Sequence, residues 1–305
     1  MVLVPAAPNK SITDIYGIDM SNDPSKIGFC HLHRPLDGHS WQLCRLASVQ
    51  SFMYDVYKSY ITILPKEDNH ADIIYSLFLQ WLDNELTVKP TLAIGVDLPL
   101  TWTPYERKLF ESSHTQISSQ WFPPHHMDAT SNDVERDLDK QFKEILKNSK
   151  VANNTRTVDS NVLSPIADKI FRTILQWRAF PFKKSDLYYS PQPIPQVQAA
   201  RIHETFPKVS LALWGLTNSS YKGQGQESVN KEKRKEILRQ LFNKSIFHQN
   251  SYDAQEYADN DKGGNLLDAL VCAIALAECC TGQGCVLTAD DGWAYLGGTC
   301  LGSNA

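Results

Sequence analysis

Four acids in this 305-residue chain stand where a lone carboxylate is out of place. Asp19 closes the run Ile15-Tyr16-Gly17-Ile18-Asp19, and Asp97 closes Thr91-Leu92-Ala93-Ile94-Gly95-Val96-Asp97. Glu204 closes Ala200-Arg201-Ile202-His203-Glu204, and Asp268 interrupts Leu266-Leu267-Asp268-Ala269-Leu270-Val271. A buried carboxylate is costly unless it has a partner, a proton or a metal. Taken singly, an acid at a strand end is usually a cap or a turn residue. Four acids placed consistently within one topology point instead to joint use. Converging carboxylates repel one another and select a hard cation, and Mg2+ or Mn2+ suits oxygen ligands and retained waters. Two such ions activate water and stabilise the leaving oxygen of a phosphodiester. The chemistry expected is therefore metal-dependent hydrolysis, with Asp19, Asp97, Glu204 and Asp268 as both metal ligands and catalytic groups. Asp261 and Asn265, seven and three residues before Asp268, extend a polar stripe on the same helical face.

Phosphate contacts are sought among the bases. Arg156 lies near Asp159 on an expected loop, where a guanidinium serves equally as a bidentate phosphate clamp or as half of an internal ion pair. Lys222 opens a run to Lys244 holding seven Lys or Arg and three Glu, a local charge of +4. That run is the best candidate for a nucleic-acid backbone contact, although a solvated helix face is the commoner origin of such runs. Trp102, Tyr105, Trp121 and Phe122 offer stacking surfaces for bases, with core packing as the plainer role. His31 and His33 alternate on an expected strand and His125-His126 lies in a loop; neither pair has a metal partner readable in sequence, so both are taken as structural.

The elements that must position the acids follow from periodicity. Strands are expected at Asp14–Met20, Lys26–Leu32 and Ser40–Leu46, separated by tight turns, as an antiparallel meander. Helical spacing marks Ala71–Leu86, and the continuous apolar run Thr91–Asp97 suits a strand buried on both faces. The stretch 101–154 is rich in Pro, His, Ser and Asn around one charged helical pattern, Ser131–Lys150, and reads as an insertion or lid within a single domain. Beyond it come a helix at Pro165–Trp177, a loop at Pro191–Pro195, a strand at Ala199–Phe206, a basic helix at Lys231–Phe247, an apolar helix at Leu266–Cys280, and a tail with a short strand. A meander leading into parallel strands with crossover helices gives a mixed sheet flanked by helices.

In that order the sequence resembles the RNase H-like proteins of domain of unknown function 429, often described as predicted nucleases. The resemblance rests on Gly17-Ile18-Asp19, Gly95-Val96-Asp97-Leu98-Pro99-Leu100, Arg156-Thr157-Val158-Asp159 and Leu163-Ser164-Pro165-Ile166-Ala167-Asp168-Lys169-Ile170. It continues through His203-Glu204-Thr205-Phe206-Pro207, Leu211-Ala212-Leu213-Trp214-Gly215-Leu216, Ser220-Tyr221-Lys222, Leu267-Asp268-Ala269-Leu270-Val271-Cys272-Ala273 and Asp291-Gly292-Trp293-Ala294-Tyr295. It implies an RNase H-like α/β fold and a nuclease acting on DNA or RNA. The long stretch 101–154 and the approach Asp261-Lys262-Gly263-Gly264-Asn265 depart from the family pattern.

Composition narrows the classes. With 42% hydrophobic and 21% charged residues the chain can bury a core. The net charge of -4 argues against a general polyanion binder, though a local basic patch would suffice for an enzyme. Met1–Lys10 lacks a signal-peptide pattern, and Leu266–Ala277 is too short to span a bilayer, so a cytoplasmic protein without membrane contact is expected. Seven cysteines, an odd number, suggest reduced thiols, with Cys272, Cys279, Cys280 and Cys285 as buried thiols rather than zinc ligands. Two rivals remain. A nucleotide hydrolase or phosphotransferase of the actin-like group would want a glycine-rich phosphate loop where Ser21-Asn22-Asp23 stands, and a non-catalytic nucleic-acid-binding protein of the same fold would keep the acids without turnover.

Overall fold

Gly-Ile-Asp and Gly-Val-Asp end two strands that lie side by side, and the molecule is organised around them. The computed structural model describes residues 2–21, 23–35, 38, 40–58, 70–98, 136–148, 201–216, 221–222, 227–247, 252–261, 263–289 and 292–300. Strands β2 (Asp14–Asp19), β3 (Gly28–His33) and β4 (Gln42–Ser48) form the expected meander. β5 (Leu92–Asp97) and β6 (Ile202–Glu204) add in parallel to β2, giving a five-stranded mixed sheet in the order β4-β3-β2-β5-β6. Its continuous apolar strands are explained by helices on both faces.

One face packs on α1 (Val49–Val56) and α2 (His70–Val88) through Ile18, Phe29, Phe78, Leu82, Ile94 and Val96. Ser48 caps α1, accepting a hydrogen bond from the Ser51 amide at 3.2 Å. The other face packs on α7 (Asn265–Thr281) and, beside it, α5 (Glu227–Phe242) and α6 (Ala254–Asn260). α3 (Asp137–Asn148), from the stretch expected to be a lid, buries Leu138, Phe142, Ile145 and Leu146 in a core shared with α4 (Pro207–Leu213). The rest of 101–154, the helix at Pro165–Trp177 and the loop at Pro191–Pro195 lie outside the described residues.

Four short elements carried too little periodicity to be foreseen: α1, α4, α6 and β1 (Val2–Pro5). The tail forms a hairpin of β7 (Cys285–Ala289) and β8 (Gly292–Leu296), and β1 joins it in a second, antiparallel sheet ordered β1-β7-β8. Cys285 is bonded to Cys300, which overturns the expectation that all thiols are reduced; the strand and the segment after the hairpin bring their Cα atoms to 5.7 Å, within bridging range. Cys30, Cys272, Cys279 and Cys280 are free and buried as expected, and Cys44 is free and exposed. No helix among the described residues is long and apolar enough to cross a membrane.

Candidate metal centre

The in-register parallel pairing of β2 with β5 sets Asp19 beside Asp97 and Gly17 beside Gly95. Side chains alternate across a strand, so all four positions share the face covered by α7. The glycines make that cover possible. A Cβ at Gly17 would stand 2.0 Å from the Ala269 carbonyl oxygen, and one at Gly95 would stand 3.0 Å from that of Cys272. With no side chains there, the helix backbone settles onto the strands, and its first turn brings Asp268 over the two strand-end acids. One ligand oxygen from each of Asp19, Asp97 and Asp268 lies within 4.8 Å of the others, a group that can hold a metal ion.

Burial is severe: Asp19 is 6% exposed and Asp268 3%. Burial pushes the Asp19 carboxyl up to about 7, with the Asp268 charge adding and Lys222 opposing. Burial likewise raises Asp97 well above the usual carboxylate range, helped by the charges of Asp19 and Asp268. A cluster that resists losing its protons is short of positive charge. Lys222 supplies part of it, lying 3.2 Å from Asp19 Oδ2 and closing on Asp268 Oδ2. Burial lowers the Lys222 ammonium, but the two carboxylates outweigh it and hold the amine well above its ordinary value. Tyr221 donates its hydroxyl to Asp268 Oδ1 at 2.7 Å, and Arg234 fixes the Tyr221 carbonyl at 2.9 Å.

Lys222, expected to bind a substrate phosphate, is thus engaged with the acids. The basic helix after it is also largely committed to internal partners: Lys231 pairs with Asp259, Arg234 with Glu227, Arg239 with Glu236, and Lys244 with Glu278. Arg156 lies outside the described residues, as do Asp159, Trp102, Tyr105, Trp121 and Phe122.

Glu204 does not join the group. It pairs with Val96 rather than Asp97, and a one-residue offset in a strand turns the side chain to the opposite face. There it accepts two hydrogen bonds from Arg136, at 2.7 and 2.8 Å, while the same guanidinium holds Asp139 at 2.6 and 2.9 Å. The expected four-carboxylate shell is corrected to three. Glu204 instead locks the start of α3 to the sheet, and breaking such a buried pair costs about 3–5 kcal/mol. The Arg136–Glu204 pair left no signal, because the two residues are 68 apart in sequence. Thr205 takes the place expected of Glu204 on the α7 face; its methyl group would lie 3.1 Å from a Cβ at Gly95.

The polar stripe is corrected too. Asp261 precedes α7, and its carboxylate accepts the Leu266 and Leu267 amides at 3.2 and 3.0 Å. It caps the helix instead of facing the centre. Tyr221 was missed as part of the centre, although the triplet Ser220-Tyr221-Lys222 drew notice.

The three acids fit a hard cation: every donor is a carboxylate oxygen, and an ammonium already bridges two of them. A family model described as "Protein of unknown function (DUF429)" matches residues 67–291. No curated protein and no solved structure matches the chain.

Proposed function

The chain belongs to the DUF429 family, and from that premise and the geometry of its acids we propose that it is a metal-dependent phosphodiesterase acting on nucleic acid, with an RNase H-like fold. The observation that carries the reading is the convergence of Asp19, Asp97 and Asp268 from two in-register strand ends and one helix. These three would hold Mg2+ or Mn2+, which would supply Lewis-acid activation of water and charge stabilisation at the phosphate. Tyr221 orients Asp268 by donating to one of its oxygens. Lys222 keeps about a third of its side chain open to solvent and is placed to turn from the acids to a substrate phosphate oxygen when a cation takes its seat. Glu204 and Arg136 anchor α3 and touch no substrate.

The test is hydrolysis of DNA, RNA and free nucleotides by purified full chain with Mg2+ or Mn2+. Asp19→Asn keeps the size of the side chain but removes a charge that holds the cation, so metal-dependent cleavage should fall to background with the circular dichroism spectrum unchanged. Full activity in that variant, in a preparation cleared of contaminating nucleases, overturns the assignment. One observation favours a second reading. The Lys222 ammonium bridging Asp19 and Asp268 closes the cluster without a metal, as a non-catalytic nucleic-acid-binding protein of this fold would need. That reading takes over if millimolar Mg2+ or Mn2+ leaves the melting temperature unmoved.

A further inference from the structure

The carboxylate centre continues sideways along its end of the sheet. Asp19 pairs with Gly28 on β3, and Gly28 pairs with Ser48 on β4. Residues directly opposite share a face, so the three stand in line on the side covered by α7. With strands about 4.8 Å apart, Ser48 lies about 10 Å from Asp19 along that line. The first turn of α7 follows the same path. Asn265 rests on Gly28, where a Cβ would stand 2.0 Å from the Asn265 carbonyl oxygen, and Asp268 lies one turn further on, over the acids.

Where this line leaves the acids, the surface opens into a cleft of about 710 Å³ between the edge strand β4, α6 and the start of α7. The buried Ile27 and Leu266 give it an apolar lining. Tyr257 lines it too and is backed by Phe242, with ring centroids 5.6 Å apart, so an aromatic ring is held beside the cleft. Asn260 and Asn265 add carboxamides, which both donate and accept. Lys26 and Arg45 add two cations. Their partners, Asp23 and Asp55, are solvent-exposed, and such surface pairs are weak enough to be exchanged for a phosphate. Of the acids in the described lining, Asp261 is spent on the Leu266 and Leu267 amides, which leaves Glu256 against the two cations.

We propose that this cleft seats the nucleotide next to the scissile phosphate, and that the substrate is single-stranded nucleic acid. An unpaired base has a face to stack on Tyr257 and free edges for the two carboxamides, and its phosphate suits Lys26 and Arg45. Size decides the number of strands. The cleft falls within the range of small-ligand sites, about 300–1,000 Å³, which accommodates an unpaired nucleotide but no base-paired duplex. The α7 turn that carries Asp268 also carries Asn265, so one rigid element sets the distance from the cleft to the centre. The choice of occupant rests on the phosphodiesterase reading.

The experiment measures binding to the full chain in EDTA, by fluorescence anisotropy of a short labelled single strand, DNA and RNA in turn, competed by the same sequence as a duplex. The single strand should bind about tenfold tighter than the duplex, or better. Lys26→Glu with Arg45→Glu should weaken it by about tenfold or more and flatten its salt dependence. Tyr257→Leu should also cost about tenfold but leave the salt dependence as it was, because it removes a ring and no charge. Should Tyr257→Leu fail to fold, Asn260→Trp fills the cleft from an exposed position and should cost as much. Mn2+ binding should stay at the wild-type level in these variants, which reports an intact fold and centre. The same charge reversals at Lys140 and Arg239, outside the cleft, should change affinity by no more than about twofold. Equal affinity for single strand and duplex, or wild-type affinity in the cleft variants, overturns the proposal whether or not the chain cleaves. Cleft-dependent binding by a chain that hydrolyses nothing supports the cleft and removes the phosphodiesterase reading instead.

Discussion

Asp14 and Asp19 open and close the same strand, yet their carboxyls are pushed in opposite directions. Burial raises both. At Asp14, hydrogen bonds from His31, His33 and Thr13 outweigh it and hold the group well below the usual carboxylate range. At Asp19, Lys222 opposes the burial but the Asp268 charge reinforces it, and the carboxyl rises to about 7. The difference teaches that the supply of donors, more than depth alone, decides what a buried acid does. One end of β2 has more donors than acids, and the other has three acids sharing one ammonium.

The strongest way to break the comparison is to remove the acid-rich end by unseating its helix. Gly17→Val drives a side chain into the backbone of Ala269 and Ala273, and overpacking against backbone has no cheap relief. The expected loss is about 4 kcal/mol or more, read as a collapse of the denaturation midpoint. A midpoint within 1 °C of wild type would show that α7 does not rest on the Gly17 backbone.

A sharper version uses pH, because the two aspartates predict opposite slopes. Asp14 is depressed in the fold, so its stabilisation is present above the unfolded value of 3.8 and is lost as pH falls below it. Asp19 is raised, so in metal-free buffer the fold loses stability as pH climbs from about 4 to about 7, on the order of 4 kcal/mol. Asp14→Asn should flatten the acid limb alone, and Asp19→Asn the neutral limb alone. Urea midpoints between pH 3 and 8 would show whether the limbs separate; if both variants flatten the same limb, the contrast is wrong.

The smallest effect concerns the shared ammonium. Lys222→Met leaves the acids without their internal cation, so the metal-free protein should lose about 1 kcal/mol. Saturating Mg2+ should restore that loss, and apparent Mg2+ affinity should rise about tenfold, equivalent to about 1.4 kcal/mol. Calorimetric titration checks both. Unchanged affinity would mean that the ammonium and the metal do not compete for one seat.

What was legible in the sequence follows the same division. Asp19 and Asp97 were readable because each ends an apolar run, and a run buried on both faces has one position for its strands: mid-sheet. Asp268 was readable because an acid inside Leu266–Val271 has no bland explanation. Glu204 was misplaced because strand ends can be read to about a residue, while the face of a side chain reverses with each residue. The Arg136–Glu204 pair and the acid-bridging role of Lys222 join residues far apart along the chain, where local pattern carries no information. The Asp14–His31–His33 cluster was half visible: the alternating histidines showed, but the register that brings Asp14 opposite His33 did not.

The dependence of the centre on α7 also governs the order in which the molecule is made. β2 and β5 are complete once residue 97 has been synthesised, but the helix that fills their glycine groove begins at Asn265. At typical elongation of about 5–20 residues per second, the sheet waits roughly 10–30 s with Ile15, Cys30, Leu32 and Ala93 uncovered on that side. The nascent chain therefore carries a sticky, unclosed half-sandwich through that interval. Chaperone demand should concentrate in that interval and end abruptly when α7 emerges.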